Sequence, residues 1–96
     1  MHLTTIRLFI ILGIALAVCE AGYVICRQRV PIFTCAKMSC PDVGWAITSE
    51  HYPSDCFKTE NVLGKKQKWY KIELPNGNHG YVTNDHCSGN GNIQQC

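Results

Sequence analysis

The cysteines constrain this chain more than any other feature. Seven of its 96 residues are cysteine: Cys19, Cys26, Cys35, Cys40, Cys56, Cys87 and Cys96. So dense a set in a short chain reads as a disulfide scaffold, provided the protein reaches an oxidising compartment. The N-terminus supplies the route. Met1 to Ile6 carries no charged side chain, Arg7 adds a positive charge, and Leu8 to Val18 is a run of eleven residues without a polar side chain. A membrane span needs about twenty such residues, whereas a run this short suits the core of a secretory signal peptide.

Small residues then offer three cleavage points, after Ala17, after Cys19 and after Ala21. Cysteine parity separates them. Cleavage after Ala17 retains all seven cysteines and leaves an odd thiol, which is unwelcome outside the cell. Either later cut leaves six, and we take residues 1–21 as the leader with Gly22 as the new N-terminus. A lipoprotein signal at Leu16-Ala17-Val18-Cys19 is the rival, but such signals carry a smaller residue where Val18 stands. The protein is therefore expected to be secreted and extracellular, with no membrane span.

The remaining residues, 22–96, are about 75 in number. A domain of that size buries little more than ~60% of its unfolded surface, and three disulfides at about 2–4 kcal/mol each offset the deficit. Six cysteines admit fifteen pairings, and spacing alone does not choose among them. Lys and Arg number 9 against 7 Asp and Glu, a net charge of +2, which is too weak a balance for a nucleic-acid partner. Length excludes a multidomain enzyme or a transporter.

The pattern after Gly22 is one of short strands and turns, with no helix longer than a single turn. Tyr23 to Cys26 is a strand, Val30 to Thr34 contains Pro31 and suits an edge or an irregular loop entry, Cys35 to Asp42 is a loop, Gly44 to Ser49 is a strand and His51 to Asp55 a turn cluster. Cys56 to Leu63 is a strand, and Gly64 to Lys68 turns the chain. Trp69 to Leu74 alternates, with Tyr70, Ile72 and Leu74 on one face and Trp69, Lys71 and Glu73 on the other. Pro75-Asn76-Gly77-Asn78 holds the Asn-Gly pair of tight hairpins, and Gly80 to Thr83 returns as the partner strand. Asn84 to His86 is expected to form one helical turn. Ser88 to Gln95, rich in Gly, Asn and Gln, is expected to be a mobile tail unless Cys96 pins it. Regular strand spacing points to a small all-β barrel of five strands.

The run Trp69-Tyr70-Lys71-Ile72-Glu73-Leu74-Pro75-Asn76-Gly77-Asn78-His79-Gly80-Tyr81-Val82 resembles the second half of a bacterial-type Src-homology-3 domain. The looser likeness extends over about Val30 to Cys87. The resemblance implies a five-stranded barrel of two packed orthogonal sheets over residues 22–87, followed by a tail at 88–96, with peptide or cell-wall binding as its activity. The cysteines are no part of that family's pattern, and this chain looks like a disulfide-reinforced variant. Members that bind proline-rich peptides carry an Ala-Leu-Tyr-Asp-Tyr-like loop, a Pro and a Tyr that this chain lacks; Thr83 and His86 stand at the last two places. In such a barrel the first and last strands are neighbours, which implies Cys26–Cys87. With Cys35–Cys40 closing the early loop, Cys56 is left for Cys96.

Catalysis by a cysteine needs a free thiolate beside a histidine, and an even set of paired cysteines offers none. Cys35 and Cys40 with His79 and His86 lack the tight spacing of a zinc site. No enzymatic activity, metal or cofactor is expected. A secreted, monomeric binding module for a peptide, glycan or cell-wall fragment is expected instead, with Trp69 either an exposed groove aromatic or a half-buried packing residue of the barrel, and with Tyr52, Trp45, Tyr81 and His86 as its candidate companions. Trp69→Ala is then expected to weaken binding while the fold survives. The competing reading is a secreted cysteine-rich effector, such as a toxin, protease inhibitor or antimicrobial protein. Lys65, Lys66, Lys68 and Lys71 form a basic cluster suited to anionic glycans or headgroups, or simply to keeping an edge soluble.

Overall fold

The computed structural model describes residues 21–96. The expected leader before Ala21 and its expected cleavage points lie outside the described residues. Among these the chain is all-β, with strands β1 (Tyr23–Cys26), β2 (Val30–Phe33), β3 (Asp42–Ala46), β4 (His51–Pro53), β5 (Cys56–Val62), β6 (Lys65–Glu73), β7 (His79–Thr83), β8 (Cys87–Asn90) and β9 (Gln94–Gln95). They form an open sheet of three strands in the order β4-β1-β8 and an open sheet of six in the order β3-β2-β7-β6-β5-β9. The expected count of five strands therefore does not hold. The additions are segments whose main chain pairs without an apolar alternation to announce it. His51–Pro53 pairs with β1, Cys87–Asn90 pairs with the other edge of β1, and Gln94–Gln95 runs parallel to β5.

Two boundaries differ for a local reason. Val62 pairs with Lys65, so the β5–β6 turn consists of Leu63 and Gly64 alone, at φ 53° and 79°. A two-residue turn with both centres at positive φ matches strand twist, and it lets β6 begin at Lys65. The lysines assigned to a loop thus lie in a strand. Asn84 to His86 is a turn without helix. Its geometry is held by Asn84, whose N–H donates to the Lys68 carbonyl at 3.0 Å and whose Oδ1 accepts from the Lys68 N–H at 3.2 Å. The Asn76-Gly77 hairpin forms as its sequence dictates: Leu74 N–H donates to the Asn78 carbonyl at 2.8 Å, and Gly77 has φ 85°.

Between the sheets lies one apolar core of Val24, Cys26, Val30, Ile32, Ala46, Tyr52, Tyr70, Ile72, Val82 and Cys87, with Phe57, Leu74 and Ile93 packed on it. The β6 alternation supplies Tyr70 and Ile72 to this core and turns Trp69 the other way. Ser54 is the buried polar residue; its hydroxyl donates to the Lys71 carbonyl at 2.7 Å, and its N–H donates to the Gly22 carbonyl at 3.0 Å. Three disulfides fasten the layers. Cys26 and Cys87 are directly opposed residues of β1 and β8, Cys35 and Cys40 close the β2–β3 loop, and Cys56 at the start of β5 holds Cys96. Residues 88–96 are thereby built into both sheets and do not form a mobile tail. Among the described residues no helix is long and apolar enough to cross a membrane.

Candidate functional site: a cleft over Trp69

Trp69 stands at the centre of the larger sheet, opposite Lys58 of β5 and Thr83 of β7, with its side chain on the face away from the core. Left bare, it would be the exposed aromatic that the alternation predicts. It is instead 0% exposed. The β2–β3 loop, held short by Cys35–Cys40, folds back across it. Phe33 meets the indole edge to face with ring centroids 5.5 Å apart, and Ala36 is buried beside it. This corrects the expectation of an exposed Trp69: a second, smaller packing layer exists on the outer side of the sheet.

That layer does not close completely. Between the loop residues Ala36, Lys37 and Met38 and the β5 residues Glu60, Asn61 and Val62 lies a cleft of about 290 Å³, with Trp69 contributing to its lining. The volume falls at the lower end of the range for ligand pockets. The walls are apolar at Ala36, Met38 and Val62, and the rim carries opposite charges at Lys37 and Glu60. Trp69 Nε1 is buried and has no hydrogen-bond partner. A buried donor left unpaired costs about 1–3 kcal/mol.

Of the other expected site residues, Tyr81 shares the outer face with Trp69, because it pairs with Lys71, two residues along β6 from Trp69, whereas Trp45, Tyr52 and His86 do not join it. Trp45 and Tyr52 line a separate groove of about 380 Å³, with Ile32, Val43, Ile47 and Leu74 among its walls. There Trp45 is half exposed under the Arg29 guanidinium, which lies 4.4 Å from the ring centroid. Tyr52 belongs to the core, and its hydroxyl accepts the Ile47 N–H at 2.9 Å. Tyr81 is half-buried opposite Phe33, with Lys58 Nζ 5.4 Å from its ring centroid. His86 is half-buried in its turn, where its carbonyl accepts the Arg27 N–H at 2.9 Å. A single aromatic surface built from all five is therefore not present: Tyr81 lies on the face of Trp69 and Phe33, Trp45 and Tyr52 line the other groove, and His86 stays in its turn.

Ala36, Met38, Glu60, Asn61 and Val62 were not singled out from the sequence. The available signal was the short Cys35–Cys40 ring directly after Phe33, which forces the chain to double back over whatever β2's neighbours present. Cys35 and Cys40 are bonded to each other, and among the described residues no group of His, Cys, Asp and Glu is arranged to hold a metal ion. No protein-family model matches the chain, and neither does any curated protein or solved structure. The architecture and the cleft thus define the class no more narrowly than a small, all-β, disulfide-linked domain.

Proposed function

We propose that this protein is a secreted, non-enzymatic binding module whose ligand enters the cleft over Trp69 and accepts a hydrogen bond from its indole N–H. The observation that carries this reading is a cleft flanked by Met38, Val62, Lys37 and Glu60 with Trp69 in its lining, a residue whose buried indole N–H lacks a partner and becomes reachable when the β2–β3 loop shifts. An extended peptide suits it best: a backbone carbonyl meets Nε1, a small apolar side chain fills the space, and the opposed rim charges fix direction. A sugar hydroxyl is the other acceptor of suitable size. The reading agrees with the Src-homology-3-like resemblance of Trp69 to Val82, in which β2, β3, β5, β6 and β7 would be the barrel strands and the remaining strands additions. Extracellular placement is consistent with the three disulfides.

The test is a screen of peptide and glycan arrays with the purified protein, repeated with Trp69→Phe. Phenylalanine keeps an aromatic ring under the loop and removes the donor. Array ligands that bind the parent protein should lose at least about tenfold in affinity with the variant, the worth of one buried hydrogen bond in a dry site. Equal binding by both proteins would refute the assignment.

A further inference from the structure

The β5–β6 hairpin ends in a tip that its turn geometry does not explain. Leu63 is 102% exposed and has φ 53°. An L-residue other than Asn, Asp or Gly pays for that backbone conformation, and Asn-Gly is the pair such a turn normally selects. Leucine here is unfavourable for the turn and gains no contact with the rest of the described chain. A single exposed leucine needs no explanation by itself. Leu63, however, has company. Val62, 45% exposed, precedes it, and Met38, 64% exposed, faces Val62 across the cleft mouth. Three large apolar side chains therefore project from one end of the molecule.

The charges around them have one predominant sign. Lys65 is the cross-strand partner of Val62, Lys66 is the partner of Asn61, and Lys37 precedes Met38 in the opposite wall. Glu60 is the acidic residue in the cleft lining beside them. An apolar tip collared by lysines matches the cross-section of a bilayer surface, where hydrocarbon lies beneath anionic headgroups. Lysines placed one to three residues behind the tip can lie along the interface with their ammonium groups among the phosphates. A soluble anionic glycan would use the lysines equally well but gives Leu63 nothing to enter.

We propose that this end of the molecule docks on anionic lipid bilayers, with Leu63, Val62 and Met38 entering the headgroup–acyl boundary and Lys37, Lys65 and Lys66 contacting the headgroups. Met38, Val62 and Lys37 are shared with the cleft, but Leu63 does not line it, so a change at Leu63 tests docking while the cleft residues and Trp69 stay in place.

Co-sedimentation of the secreted protein with phosphatidylcholine vesicles, with and without phosphatidylserine, tests this. The protein should pellet with the anionic vesicles and stay in solution with the neutral ones. Leu63→Asn should reduce partitioning at least about tenfold, as expected for losing one inserted leucine. Asparagine suits the positive φ, so this variant retains its turn and its melt reports a folded protein. Lys65→Gln and Lys66→Gln should each reduce partitioning about fivefold. Unchanged binding by folded Leu63→Asn would overturn the proposal in favour of charge adhesion alone. Failure of the parent protein to pellet with anionic vesicles, including a result in which it binds heparin beads instead, would also overturn it.

Discussion

Phe33 and Trp69 meet edge to face across the outer surface of the larger sheet, with ring planes 79° apart. This contact links the disulfide-closed β2–β3 loop to the central strand of the hairpins, and it makes an outward-facing tryptophan a buried one. The stability and the binding roles of Trp69 are consequently inseparable in a truncation and separable in a conservative change. Trp69→Ala should destabilise the fold by about 3–5 kcal/mol, the range for deleting a fully buried Trp. A urea titration measures it. A loss below about 1 kcal/mol would show that the loop does not cover the indole in solution.

The second tryptophan should behave in the opposite way. Trp45 lies half exposed on edge strand β3, and its ring stacks under Arg29. Trp45→Ala loses that cation–π contact and part of a shallow packing surface, so the expected cost is about 1 kcal/mol or less. Thermal melts of the two alanine variants, run side by side, should rank Trp69 far above Trp45. Fluorescence quenching by iodide should likewise report Trp45 as the accessible indole.

The disulfides should divide into structural and site-shaping bonds. Cys56–Cys96 spans 40 residues of sequence and Cys35–Cys40 spans 5. Loop-closure entropy makes the first worth about 4 kcal/mol and the second about 2 kcal/mol. The double variant Cys56→Ser/Cys96→Ser should also free β9 from β5 and raise hydrogen exchange at Gln94 and Cys96, whose N–H groups donate to Asp55 and Phe57 carbonyls. Cys35→Ser/Cys40→Ser should exchange locally, in the loop over Trp69, and should raise iodide quenching of that indole.

Ser54 gives a sharper probe of how the two sheets are joined. Its hydroxyl reaches the Lys71 carbonyl of β6 while its N–H reaches Gly22, just before β1. Ser54→Ala leaves the Lys71 carbonyl without this donor and should cost about 1–2 kcal/mol. Ser54→Thr keeps the donor but adds a methyl to a site with 2% exposure, so it should not restore full stability. Chemical denaturation of both variants checks the pair.

How much of this could be read along the chain depends on whether each residue's partner is near in sequence. The Trp69–Glu73 alternation and the Asn76-Gly77 turn are local, period-two or two-residue signals, and both appear where the sequence places them. Ser88 to Gln95 has no such signal. Its polar, glycine-rich chain enters two sheets because β1 and β5 offer unpaired main-chain edges, and backbone hydrogen bonds carry no side-chain signature. The Leu63-Gly64 turn hid in the same way, since leucine is not a residue that announces a positive φ.

The site follows the same division. The residues alone were enough for an all-β chain with its cysteines in pairs, and for the direction of Trp69 away from the Tyr70 and Ile72 face. Alternation states which side of a strand a residue occupies, but not what lies on that side. Whether Trp69 would meet solvent or a second layer depended on a loop some thirty positions earlier closing over it, and that contact exists only once β2, β7 and β6 are side by side.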